Sequence, residues 1–283
     1  MPRLPLKLGG GIGDCLLDIS RVPISAMGAV GVGLEFYYTQ PDHPASQIVK
    51  DFLPFIRRGR VSSDPLPKNL NWHRLANYLG RIFHKSPLFF APPIIGIESK
   101  KSLHTSIRIL IQTHMDGHHN LKCFSAKVWA IKNWIEYIRL ISNIPNVEVR
   151  ILEWDPEAVT EFGDALPNVP IIGPKKLHAS IQEIANSDIM VSIDSWTKYV
   201  AQWFNKKQII VLPDLRNNYT PYFSTVTADE VVRRWFFGIS GRKNVKIIGA
   251  EKRGGVFQYT LDKISNLQPN YLYEETRDCL KLG

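Results

Sequence analysis

Apolar residues along this chain alternate between two rhythms. Short β-branched or aromatic runs are predicted as strands: "PLKL" before the first glycines, "VGLEFYYT" (32–39), "SIRILIQTH" (106–114), "VEVRILEW" (147–154), "IMVSID" (189–194) and "QIIVLPD" (208–214). Between them, apolar positions recur at helical spacing over 14–27, 45–56, 72–84, 130–142, 178–187 and 195–204, with Pro23 bending or ending the first of these. In the fourth, Ile131, Trp134, Ile135, Ile138, Leu140 and Ile141 read as core. Such β-α alternation implies parallel sheets with right-handed crossovers, covered by helices on both faces. A proline-rich and then basic passage, 87–102, separates two such units, one over 1–103 and one over 104–255, followed by a tail over 256–283 that turns helical after Pro269.

Open parallel sheets bind ligands beyond the carboxyl ends of their strands. Four stretches lie at such ends: the glycine turn at 9–13, the loop 113–127, residues 153–157, and Asp194-Ser195. The first reads "GGGIGDCLL", with Gly9, Gly10, Gly11 and Gly13 ahead of Asp14. A glycine turn into a helix brings backbone N–H groups close to a ligand. It is not a P-loop, because Asp14 and Cys15 follow Gly13, and a dinucleotide fingerprint needs glycine where Asp14 stands. Asp14 therefore reads either as a helix cap or as a carboxylate offered to a ligand.

Composition narrows the partners. Thirty-five basic against 26 acidic residues leave a net charge of +9 over 283 residues, which suits anionic ligands. The basic groups "RRGR" (57–60), "KK" (100–101) and "GRKNVK" (241–246) are short and carry no interleaved aromatic motif, so nucleic acid is disfavoured and each also reads as a solvated face. No apolar stretch approaches the roughly 20 residues of a membrane span, and no signal peptide is recognisable. Three scattered cysteines, Cys15, Cys123 and Cys279, point to a reducing cytoplasm. The charge admits peripheral contact with the inner face of a membrane. His114, Asp116, His118 and His119 crowd one loop, but that loop contains Gly117 and is not a rigid element, so the expectation is no metal.

Three stretches together resemble the bacterial heptosyltransferase family, inverting sugar transferases of the GT-B fold: "GGIGDCLL", "SAKVWAIKNWIEYIRLI", and "LHASIQEIANSDIMVSIDSWTKYVAQWFNKKQIIVLPD". The resemblance implies two Rossmann-like domains with parallel sheets facing a central cleft, the first on the acceptor side, the second binding nucleotide sugar. It also implies that the tail packs back on the N-terminal domain. It further implies that Asp14 is the general base for the acceptor hydroxyl and that Lys127, with Ser125, binds donor phosphate. Asp194 and Ser195 would hold the diphosphate at a helix start, Glu157 the ribose, and Thr113, at the opening of its loop, would touch donor. Gly11 and Gly13 would form a turn near acceptor or donor. Trp196 stands where the family has glycine and Tyr199 where it has histidine, so Trp196 reads either as a cover for a base or sugar or as packing between helix and sheet. Lys127 and Asp194 read alternatively as a solvated lysine and a simple cap.

The expected function is metal-independent, cofactor-free transfer of a sugar (heptose or a related hexose) from a nucleoside-diphosphate sugar to a hydroxyl of a glycan, lipid-linked sugar or protein. Two alternatives stand beside it: a sugar-nucleotide epimerase on the same fold, and a non-catalytic glycan- or nucleic-acid-binding relative.

Overall fold

The computed structural model describes residues 3–8, 12–20, 31–39, 42, 46–56, 59–63, 96–97, 105–113, 128–173, 177–216, 225–236 and 242–281. Two parallel sheets organise them. The first contains β1 (Arg3–Leu8), β2 (Gly33–Tyr38) and β3 (Gly59–Val61) in that order. Helix α1 (Ile12–Ser20) follows β1, and α2 (Ser46–Phe52) follows β2 and runs into a short 3-10 turn at Leu53–Phe55. The expected helix over 72–84 lies outside the described residues.

The second sheet is built from β4 (Ile107–Gln112), β5 (Val147–Leu152), β6 (Ile171–Ile172), β7 (Ile189–Ile193), β8 (Lys207–Val211) and β9 (Val245–Ile248). Its spatial order is β6-β5-β4-β7-β8-β9. Counted from β4, this is the doubly wound order 3-2-1-4-5-6, which reverses between β4 and β7. The intervening helices are α3 (Ile131–Ser142), α4 (Pro156–Ala165), α5 (Leu177–Asn186), α6 (Thr197–Trp203) and α7 (Ala228–Trp235).

Strand period 2 divides the side chains of this sheet between two cores. Ile109 and Ile111, Ile189, Val191 and Ile193, and Ile209 and Val211 meet α3 and α4 through Trp134, Ile138 and Phe162. Leu110, Met190, Ile210 and Leu212 face the other way, into a core shared with α5, α6, α1 through Leu16, and the first sheet through Leu6, Leu8 and Phe36. Burial on both faces explains why these strands read as continuous apolar runs. The shared core joins the two halves of the chain. At its edge the Trp203 Nε1–H donates to Ser20 Oγ at 2.9 Å, and the rings of Phe55 and His178 lie 4.2 Å apart.

Past β9 the chain forms an antiparallel hairpin, β10 (Ala250–Arg253) and β11 (Val256–Tyr259). Gly249 makes the connection with φ +97°, and a Cβ there would collide with the Leu212 carbonyl, so the position requires glycine. The last helix, α8 (Pro269–Lys281), corrects an expectation. Among the described residues it lies across α3 of the second half, not on the N-terminal unit: Leu272 enters the α3-side core, and the Tyr137 hydroxyl bonds Thr276 Oγ1 at 2.8 Å. The side chain of Lys207 donates to the Cys279 carbonyl, and Trp129 Nε1–H to that of Leu267. The apolar face formed by Leu272, Tyr273 and Leu280 finds its complement on this side of the sheet.

Candidate functional site

The reversal of strand order brings the carboxyl ends of β4 and β7 together, and hydrogen bonds lock them. Gln112, the last residue of β4, accepts at Oε1 from the Ser195 hydroxyl and, at 2.7 Å, from Thr197 Oγ1–H. The hydroxyls of Ser195 and Thr197 are 3.2 Å apart, and all three side chains are buried. Ser195, expected as a diphosphate contact, thus spends its hydroxyl on the neighbouring strand here, and its position in the turn follows from that bond.

Asp194 begins the same turn and is almost wholly buried. Lys198, one helical turn on, donates to its Oδ1 at 2.5 Å and to the Ser195 carbonyl at 3.3 Å. The ammonium sits 4.4 Å from the ring centroid of Tyr199 and 5.0 Å from that of Phe236. A buried carboxylate requires such a partner, and the ring faces favour the cation. Nothing in the local pattern distinguishes Lys198 from a surface lysine, so sequence reading missed it.

Thr113 directly follows β4 and donates its hydroxyl to Glu153 Oε2. The second oxygen of Glu153 accepts the backbone N–H groups of Trp154 and Asp155, each at 2.8 Å. Glu153 is therefore the buried carboxylate of the loop after β5. Glu157, the residue expected to meet a ribose, stands exposed in the first turn of α4, where the cap Asp155 accepts its N–H at 3.3 Å. The available signal was an acid at the final inward position of an apolar strand, "RILEW".

The first half contributes the start of α1. Helix α1 begins at Ile12, so Asp14 is the third residue of the helix and not its cap; it is exposed and favourably placed in the first turn. One residue earlier, Gly13 abuts the turn of the second half: a Cβ built on it would lie 3.8 Å from Trp196 Cβ. Trp196 is buried against Trp154, ring centroids 5.9 Å apart, so of its two readings the structure favours packing. Tyr38, ending β2, stands beside this helix. Its phenol is pushed up to about 12 by burial, with the charges of Cys15 and Asp14 adding to the shift.

At the end of β8 lies a pair that sequence reading did not single out. Buried Asp214 accepts Arg216 Nε at 3.0 Å, Nη2 at 2.5 Å and the Arg216 backbone N–H at 2.9 Å. The guanidinium also lies 5.2 Å from the centroid of the Tyr259 ring.

Gly11, Ser125 and Lys127 lie outside the described residues, as does the loop carrying His114, Asp116, His118 and His119. Among the described residues no group of three or more His, Cys, Asp or Glu side chains is placed to hold a metal ion, and no helix is long and apolar enough to cross a membrane.

A doubly wound parallel sheet with a buried polar turn at its switch point, joined through a shared core to a second parallel sheet, defines a Rossmann-like α/β architecture. Solved structures share it end to end. Heptosyltransferase WaaC of E. coli with ADP matches at a TM-score of 0.54 and 12% identity, over 98% of this chain and 99% of that one. ADP-heptose lps heptosyltransferase II of E. coli matches at 0.58 and 12%, over 100% and 99%. A glycosyl transferase family 9 protein from Veillonella parvula matches at 0.56 and 10%, over 100% and 98%. The chain therefore has the fold of these transferases. No protein-family model matches it, and no curated protein does.

Proposed function

We propose that this protein is an inverting glycosyltransferase that moves a sugar, heptose or a related hexose, from a nucleoside-diphosphate donor to a hydroxyl of a glycan, lipid-linked sugar or protein. One observation carries the reading: the start of α1, bearing Asp14, abuts the Asp194–Trp196 turn at the switch point of the doubly wound sheet. A carboxylate of one half thus borders the place where the other half would hold a nucleotide. The whole-chain fold shared with heptosyltransferases supports it.

In this reading Asp14 accepts the proton of the acceptor hydroxyl as that oxygen attacks the anomeric carbon. The carbon–oxygen bond to the diphosphate breaks on the opposite face, and the nucleoside diphosphate leaves with the electron pair. Lys127 and Ser125 meet the departing charge together with the Asp194–Ser195 turn, so no metal or further cofactor is required. Glu157 takes the ribose, and Thr113, whose hydroxyl is bonded to Glu153, touches the donor. A lipid-linked acceptor places the reaction at the cytoplasmic face of a membrane, where the net charge of +9 favours anionic surfaces.

Thermal shifts against ADP, GDP, UDP, CDP and dTDP, with and without EDTA, test the donor half of this reading. A ligand at 100 times its dissociation constant adds about 2.7 kcal/mol of stability. The expected result is one diphosphate raising the midpoint irrespective of EDTA; no response to any of them removes the transferase reading. Incubation with the matching sugar nucleotide and candidate acceptors, with the product's anomeric configuration read by NMR, tests inversion and separates transfer from epimerisation of the donor.

A further inference from the structure

Arg216 is unusual among the cations at the carboxyl end of the six-stranded sheet. Its Nε and Nη2 form a fork on buried Asp214 at 3.0 and 2.5 Å, its own backbone N–H closes the ring at 2.9 Å, and its guanidinium lies over Tyr259. Two contacts of different kinds, the fork and the ring, hold this side chain. Yet that side chain remains 46% exposed while Asp214 is 6% exposed. A guanidinium carries five N–H donors, and Asp214 uses only the Nε edge and one Nη2 hydrogen. The remaining donors are held in a fixed plane without the ordering cost that a free surface arginine pays on binding.

The position matters as much as the order. Val211, four residues after the start of β8, accepts the Asp194 N–H at 3.0 Å, so the segment carrying Arg216 emerges beside the Asp194–Ser195 turn. The Tyr259 phenol, whose ionisation is raised first by burial and then by Asp214, also senses Arg216 and Asp194. Lys198, a second cation of this region among the described residues, is buried and committed to Asp194. Of these two, only Arg216 can offer positive charge to a ligand from outside.

We propose that Arg216 is a pyrophosphate-contacting residue, presented beyond β7 and β8 by Asp214 and Tyr259. Planar, paired donors on an ordered fork match the oxygens of a phosphate, whereas Asp214 sits behind the guanidinium. The proposal deepens the transferase reading and rests on it to the extent that the pyrophosphate belongs to a nucleotide donor.

Calorimetric titration of the full chain decides it, using pyrophosphate, the five nucleoside diphosphates and the five parent nucleosides as probes. Two variants are compared with the parent: Arg216→Lys, and the paired Asp214→Asn/Arg216→Gln, which removes both charges together and leaves no buried carboxylate unpartnered. The expected result is a loss of about tenfold or more in diphosphate affinity in both variants at an unchanged melting temperature, with nucleoside affinity unaltered. Unchanged diphosphate affinity in both variants overturns the role of Arg216 and leaves the transferase reading intact. If no nucleoside diphosphate binds the parent protein, the transferase reading fails. Pyrophosphate then decides the residue: binding lost in the variants upholds it, and no binding, or binding that is retained, overturns it.

Discussion

The indole rings of Trp154 and Trp196 meet at 5.9 Å with a tilt of 42°, tying the end of β5 to the end of β7 where Gly13 of the first half comes to rest. Both indole N–H groups are buried without an acceptor among the described residues. A buried unpaired donor costs about 1–3 kcal/mol, so the contact is held by apolar area and ring geometry against that cost. Trp196→Phe removes the unpaired donor and keeps most of the ring; it is expected to lie within about 1.5 kcal/mol of the parent in urea unfolding. Trp196→Ala is expected to lose about 3–5 kcal/mol. An alanine variant as stable as the phenylalanine one would show that this ring does not help hold the two halves together.

Lys198 and Asp194 form a pair with both side chains at most 4% exposed. Removing one partner of such a pair strands a charge, whereas replacing both removes the desolvation cost together with the attraction. Lys198→Met is expected to destabilise by about 3–5 kcal/mol, and Asp194→Asn/Lys198→Met to recover most of that. Denaturant titrations of the two single variants and the double variant form the cycle that checks it. A double variant no better than Lys198→Met would mean the lysine acts through its ring contacts with Tyr199 and Phe236.

Asp14 is exposed in the first turn of α1, where its carboxylate meets the helix dipole favourably, a contribution of about 0.3–1 kcal/mol. Under the proposed mechanism Asp14→Asn loses about 10²–10⁴-fold in turnover while keeping its melting temperature within a few degrees. Initial rates with a fixed donor, paired with a thermal melt of the same preparation, read both quantities. A fully active Asp14→Asn enzyme would assign the base elsewhere.

Glu148 supplies a pH test remote from the site. Burial raises the pKa of its carboxyl, but hydrogen bonds from Arg150 at 2.8 Å and Arg108 at 3.1 Å outweigh that and leave it below the usual range. A depressed folded pKa contributes stability that is present above the unfolded value of about 4.3 and is lost as pH falls through the folded value. Melting temperatures of the parent and Glu148→Gln are expected to differ at pH 6 and to converge as pH falls below about 4. Parallel curves across that range would show that the ion pairs with Arg108 and Arg150 add nothing net.

How much of this was legible depended on whether a feature is local. The run "ILI" within "SIRILIQ", and all of "IMVSI" but Ser192, are apolar because both of their faces are buried, and that pattern needs no knowledge of neighbours. Strand β3 went unread because Gly59, Arg60 and Val61 carry only one apolar side chain and follow a cluster of arginines. The hairpin β10–β11 went unread because Glu251, Lys252 and Arg253 are all exposed and show no buried stripe. Glu153 and Glu157 sit four residues apart, the first directly after β5 and the second in the first turn of α4, and the period of the strand is the one local signal that favours Glu153 as the buried acid. The Thr113 hydroxyl, delivered by β4, gives that carboxylate a partner from the neighbouring strand.

By itself, then, the sequence determined an alternation of strands and helices, hence parallel sheets, and the carboxyl ends of those strands as the place to look, with Asp14 and Asp194-Ser195 among the residues there. These follow from backbone geometry and side-chain period, which act over a few residues at a time. The tertiary structure decided the order in which the strands lie, the bond from Ser195 to a glutamine 83 positions away, the burial of Lys198 against Asp194, the fork of Arg216 over Tyr259, and the seating of α8 on α3. Each of these is a choice among chemically equivalent partners. The choice is made by strand register and by which apolar faces can be closed against one another, and neither is written in the spacing of residues along the chain.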